Sequence, residues 1–211
     1  YQKSNNMTVQ EFAQEINRKS REFSDLIQRK MPIIVGRMAK DHYQDNFRKG
    51  GFVNGGLKKW PKAKRQDSGS SAAGANYGTL LSGRNHLFSS TNYTPGAARV
   101  RVHNDAKHAS AHNFGETIET PVTPKMRRFA WAKYYEAGGG KKNAGNGKRK
   151  GKNAGSKEVN KAAEFWKNFA LTKKKKLTIK MPVRMFIGES KELNKEILSK
   201  QEAEVRKIIE S

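Results

Sequence analysis

TVQEFAQEINRKSREFSDLIQRKMPIIVGRMAKDHYQDNFRKGG, residues 8–51, sets the helical frame of the chain. Thr8-Val9-Gln10-Glu11 fits a capping box, in which the Thr hydroxyl takes a free backbone N–H and the Glu reaches back to the cap. Val9, Phe12, Ile16, Phe23, Leu26 and Ile27 then recur at intervals compatible with 3.6 residues per turn. Pro32 donates no backbone hydrogen bond and disfavours helix at Met31, so the pattern predicts a break or kink there, with Pro32 opening a second helix. Ile33, Ile34, Met38, Ala39, Tyr43 and Phe47 continue the apolar face until Gly50-Gly51 ends it.

Beyond this stretch the pattern changes. Residues 55–77 read as a turn followed by a polar loop, and Ser68-Gly69-Ser70-Ser71-Ala72-Ala73-Gly74 has too little apolar surface to order itself. Trp60, beside Pro61, reads as a plug at the edge of a core, with ligand contact the alternative. Residues 79–91 and 97–103 are expected to pair as strands about a Thr94-Pro95-Gly96 turn. Ala98 to His103 alternate with period two. That alternation puts Arg99, Arg101 and His103 on one face, either solvated or a basic contact stripe.

Residues 129–135 and 162–169 look like two aromatic helical segments, joined by a Gly/Lys/Asn tract that reads as a mobile arm. Leu177–Met181 is a predicted strand. Ser190 can cap a last helix with Leu193, Ile197, Leu198, Val205, Ile208 and Ile209 as its stripe. The expected class is α+β: long N-terminal and C-terminal helices packed on a small antiparallel β-sheet, with a basic flexible insertion. The expected organisation is one domain over 1–128 and 177–211, interrupted by an insertion arm at 129–176.

Lys and Arg outnumber Asp and Glu by 43 to 19 over 211 residues, a net charge of +24, which points to an acidic partner. There is no cysteine, which excludes disulfides and thiolate chemistry. No apolar run approaches the roughly 18 residues of a membrane span, and residues 3–6 are not signal-like. A soluble, cytoplasmically made protein without membrane contact is expected.

Catalytic patterns are weak. His108 and His112 stand four apart with His103 nearby, a spacing that suits a metal on a helix, but Gly115 interrupts the helix and no Glu-x-x-His accompanies them. No strand-to-helix turn exposes a serine, and no Gly-Lys-Ser/Thr follows a strand. No metal, cofactor or enzymatic activity is expected. Lys141, Lys142, Lys148, Arg149, Lys150 and Lys152 form one basic cluster and Lys173 to Lys176 a second, both suited to nonspecific phosphate contact.

Four signatures stand in order: Gly55-Gly56-Leu57-Lys58-Lys59-Trp60-Pro61, Leu80 to Ser90 around Ser82-Gly83-Arg84, Ala109-Ser110-Ala111-His112-Asn113-Phe114-Gly115, and Pro182-Val183-Arg184-Met185-Phe186-Ile187-Gly188. In that order and spacing, over residues 31–128 and 177–209, the chain resembles the bacteriophage virion morphogenesis family, the Mu-like tail completion proteins. Two extra residues, Asn85 and His86, separate Arg84 from Leu87. Lys107-His108 stands where Tyr is common in that family, and Val183-Arg184-Met185-Phe186 replaces Arg-Pro-Phe. The resemblance implies a structural component of the virion, made in the host bacterial cytoplasm, that completes the tail and joins it to the head at the head–tail junction or top of the tail. It implies a self-assembled, often sixfold ring touching the head connector or neck proteins and the tail tube or terminator proteins. Trp60 and Phe186 are then expected as core anchors, Gly83 and Gly115 as backbone-permissive turns, and His112 as structural. Lys141 to Lys152 are expected as an arm facing DNA in the channel or acidic neighbours. The alternatives are a nonspecific nucleic-acid-binding protein outside the virion and an assembly factor absent from the mature particle.

Overall fold

The computed structural model describes residues 7–67, 73–139 and 155–211, and the chain forms two compact units, Tyr1–Glu116 with Met181–Ser211, and Thr117–Lys180. The class is α+β, as the alternation of patterns predicts. Its strands form three separate two-stranded antiparallel ladders.

In the first unit α1 (Val9–Asp25) starts at the capping box, with the Thr8 N–H donating to Glu11 Oε2 at 2.8 Å and the Glu11 N–H to Thr8 Oγ1 at 3.2 Å. Pro32 stands in the first turn of a second α-helix, as expected, but the break or kink takes the form of a π-helical turn rather than an interruption of the helical backbone. The chain stays helical through a π-helical turn (Leu26–Lys30) into α2 (Met31–Lys49). Two bonds explain how. The Met31 N–H reaches back five residues to the Leu26 carbonyl. The Gln28 carbonyl, which a residue other than proline at position 32 would have bonded, instead accepts the Ala98 N–H at 3.2 Å. A distant hairpin thus supplies the donor that Pro32 lacks. Gly50, left-handed at φ 66°, closes α2 as the sequence suggests.

β1 (Gly51–Val53) and β2 (Leu57–Lys59) then pair about Gly55-Gly56, with Gly51 opposite Lys59. Sequence reading leaves β2 in a loop because Leu57-Lys58-Lys59 is too short and polar to show a period. The strand exists because its partner follows directly from α2, and the Trp60 N–H extends the ladder to the Gly50 carbonyl at 3.0 Å. After single-turn helices α3 (Ala73–Asn76) and α4 (His86–Ser89), β3 (Thr91–Gly96) pairs with β4 (Arg99–Asn104). The strand expected at 79–91 is therefore mostly turn and helix, with Leu80 and Asn85 in left-handed backbone. Its apolar residues Leu80, Leu81, Leu87 and Phe88 enter the core one by one rather than along a pleat. The hairpin also turns later than Thr94-Pro95-Gly96, at Ala97-Ala98. Pro95 sits within β3, tolerated because each strand of a two-stranded ladder is an edge.

α2 lies across the β3–β4 ladder so closely that a Cβ on Gly36 would fall 2.2 Å from the Tyr93 ring. α7 (Lys191–Glu210), capped by Ser190 through the Leu193 N–H at 3.3 Å, packs on α2. Phe47, Trp60, Leu87, Ala106, Ala109 and Phe186 form one core cluster, and Ala39, Tyr43, Phe52 and Leu193 a second.

The second unit is a ladder of β5 (Thr117–Pro121) and β6 (Lys176–Lys180) carrying α5 (Pro124–Glu136) and α6 (Gly155–Ala170). β6 falls where expected. β5, whose single apolar residue is Ile118 and which ends in Pro121, does not show in the sequence. This ladder widens the unit to residues 117–180, beyond the span 129–176. Thr123 caps α5 through the Met126 N–H, and the α5–α6 contact buries Ala130, Ala163 and Ala170, small residues that let helices approach closely. Arg127 Nη1 donates to the Ala170 and Thr172 carbonyls at 3.0 and 2.6 Å, satisfying orphan carbonyls at the end of α6. Among the described residues no helix is long and apolar enough to cross a membrane.

Candidate functional site

The four sequence signatures meet in the first unit. Trp60 comes from the end of β2, Leu87 from α4, Ala109 from the approach to a π-helical turn (Ala111–Gly115), and Phe186 from the extended segment before α7. Phe47 of α2 stands at their centre, its ring 5.0 Å from Phe186 and edge-on to Trp60 at 5.6 Å. Phe186 is 1% exposed.

Residues 182–188 belong to no sheet, with Arg184 and Phe186 buried and Pro182, Val183 and Met185 exposed, so the backbone groups that do go into the core must find their hydrogen bonds outside a ladder. Side chains supply them. Asn113 Oδ1 accepts the N–H groups of Phe186 and Ile187 at 2.9 and 3.0 Å, while its Nδ2 donates to the Ile187 carbonyl at 3.0 Å. Trp60 Nε1 donates to the Met185 carbonyl at 2.8 Å, Asn46 Nδ2 to that of Phe186 at 3.4 Å, and the Tyr43 hydroxyl to that of Gly188 at 2.8 Å. The Arg184 N–H donates to the His112 carbonyl at 2.8 Å, and its guanidinium returns to the Pro61 and Lys62 carbonyls at 2.9 and 3.1 Å. Burial lowers the Arg184 pKa, and the nearby Arg65 lowers it further.

Trp60 and Phe186 thus sit together, joined through the Met185 carbonyl. Gly115 is left-handed at φ 72°, and a Cβ there would lie 2.8 Å from Val183 Cγ2. Gly83 is not left-handed. It faces the Tyr77 hydroxyl, and the left-handed positions of its segment are Leu80 and Asn85. The His112 ring meets His108 edge-on at 5.6 Å, with His86 another 5.9 Å beyond. Burial is the main cause lowering the His112 pKa, followed by His108 and Arg184. His103, the third histidine of the spacing test, turns instead to Asp105, its Nδ1 2.8 Å from Oδ1. Among the described residues no group of three His, Cys, Asp or Glu is placed to hold a metal ion. Lys141, Lys142, Lys148, Arg149, Lys150 and Lys152 lie outside the described residues.

Sequence reading gives no hydrogen-bonding role to Asn113, Asn46, Tyr43, Arg184 or Glu192, and places Tyr43 only on the apolar face of α2. Glu192 accepts the Gly55 and Gly56 N–H groups at 3.1 and 2.9 Å and so ties the β1–β2 turn to the start of α7. These backbone N–H bonds are the leading cause holding its carboxyl down at about 2. A polar residue's partner 73 to 145 positions away leaves no mark in local sequence. Asn113 and Arg184, placed inside signatures, alone among these residues carry any signal of it.

The unit also exposes apolar surface. Val9, Phe12 and Ile16 of α1 are 85%, 58% and 52% exposed, and none of α1 is buried. A groove of about 490 Å³ runs between the end of α1, α2, the β3–β4 tip and α7, lined by Phe23, Ile27, Pro32, Val100, Ile197 and Val205 among others. Compared with protein-family models, curated proteins and solved structures, the chain matches none.

Proposed function

We propose that the chain is a structural virion protein that completes a phage tail and joins it to the head, acting as a ring component by protein–protein assembly rather than by catalysis. One observation carries the reading: the four signatures that prompted it converge on a single buried junction around Phe47, Trp60 and Phe186. Residues that meet in a core specify a fold. Had the signatures scattered over the surface, the likeness would carry no structural content.

The exposed row on α1 and the adjacent groove support the same reading. A ring needs a heterologous interface, in which one patch of each copy meets a different patch of the next. An apolar ridge and an apolar groove on one unit are two such patches. Contiguous exposed apolar surface of this kind marks contact sites.

Light scattering of the nuclease-treated protein at low and high salt tests the proposal. A discrete multi-subunit particle that survives both is expected. A nuclease-sensitive, salt-labile complex collapsing to a monomer would overturn the proposal in favour of a nucleic-acid-binding protein outside the virion. Absence of the chain from purified particles would favour an assembly factor.

A further inference from the structure

Residues 117–180 carry 18 Lys and Arg against 4 Asp and Glu, which is +14 of the chain's +24 in under a third of its length. The charge is interleaved with exposed aromatic rings. On α5, Lys125, Phe129 and Lys133 follow at four-residue spacing and share one face. Phe129 is 54% exposed, and Lys133 Nζ stands 5.9 Å from its ring centroid. Trp166 of α6 meets the Phe129 ring edge-on at 5.8 Å, and Phe165 meets Trp166 at 5.2 Å. Phe165, 60% exposed, follows exposed Lys161 by the same four residues. Phe129 packs on Trp166 across the contact between the helices, yet Phe129 and Phe165 still present much of their surface outward.

We infer that the α5–α6 face binds single-stranded nucleic acid, its bases stacking on Phe129 and Phe165 and its phosphates drawn to Lys125, Arg128 and Lys161. Stacking platforms set in cationic surface bind single strands with little sequence preference, because every base has a π-face. Lys125, Arg128 and Lys161 are exposed and form no ion pair among the described residues. Two other occupants fit less well. A second copy would set +14 against +14. A lipid surface calls for apolar and cationic residues on opposite sides of a helix, whereas Lys125, Phe129 and Lys133 alternate along one. The inference concerns the second unit alone and does not depend on the tail-completion reading.

Fluorescence anisotropy of the full chain with labelled oligothymidylate of about 20 nucleotides, and with an abasic oligomer of equal length and charge, tests it. Thymidylate is expected to bind about tenfold tighter than the abasic strand. Phe129→Ala and Phe165→Ala should each remove most of that margin while leaving abasic binding unchanged, and Phe129→Tyr should restore it. Equal affinity of the unaltered protein for the two oligomers would overturn the inference, since charge alone would then explain binding. So would binding to phosphatidylserine vesicles with no preference for thymidylate, and neither comparison relies on a variant folding.

Discussion

Replacing Asn113 by Ala should cost the first unit about 4 kcal/mol, although Asn113 is a small polar residue with no place in a hydrophobic account of the core. Its side chain makes three bonds to the backbone of Phe186 and Ile187. The Phe186 N–H is buried, and leaving it unpaired costs about 1–3 kcal/mol. The two bonds to half-buried Ile187 contribute about 0.5–1.5 kcal/mol each. Urea denaturation followed by far-UV circular dichroism measures the loss as a shift in midpoint at unchanged slope. Asn113→Asp is a sharper companion. It keeps an acceptor for the two N–H groups but turns a second oxygen toward the Ile187 carbonyl, so the ionised form is disfavoured and its folded pKa is raised. The stability of Asn113→Asp should therefore recover toward the original as pH falls through the raised folded pKa, a recovery complete by about pH 4, the unfolded carboxyl value. A loss under about 1 kcal/mol for Asn113→Ala would refute the reasoning, because Phe186 packing would then hold the segment unaided.

Gly115→Ala combines a left-handed backbone, about 1–2 kcal/mol for an L-residue, with a Cβ pressed against Val183, so a loss of about 2–4 kcal/mol in the same denaturation assay is expected. Glu192 has its carboxyl depressed to about 2 in the folded protein, so its contribution is complete above the unfolded carboxylate range and fades as pH falls from about 4.5 toward 2. Glu192→Gln should consequently destabilise at pH 7 and converge with the original near pH 2 in thermal melts. A gap that stays constant with pH would sink that assignment.

The elements marked by local chemistry were legible beforehand. The Thr8 capping box, the Gly50 terminator, the Ser190 cap, the two aromatic helices and β6 stand where residues 8–11, 50, 190, 129–169 and 177–181 put them. The errors share a cause. Residues 79–91 read as a strand because Leu80, Leu81, Leu87 and Phe88 are close in sequence, yet they enter the core from a turn and a one-turn helix. Pro32 rightly marks the start of a second helix, but that the backbone stays helical through it is not legible, because the donor that rescues Gln28 belongs to Ala98, far away in the chain. β2 and β5 are short strands with weak patterns, made into strands by partners that local reading does not see.

The candidate site divides along the same line. Trp60 could be singled out because a Trp beside a Pro in a loop has few physical uses, whereas Gly115 and Phe186 could be singled out only through the order of the four signatures. Asn113, Asn46 and Tyr43 could not, since a hydrogen bond between positions 73 to 145 residues apart depends on the fold already being made. By itself the sequence determined the helix ends, the charge and its concentration in residues 117–180, through interactions that act within a turn or two or do not depend on geometry. Tertiary structure alone decided that four separate signatures share one core and that part of an unpaired extended segment could be buried there. Burying Arg184 and Phe186 requires polar partners for the backbone groups that go in with them, and only the folded chain brings those partners within 3.4 Å.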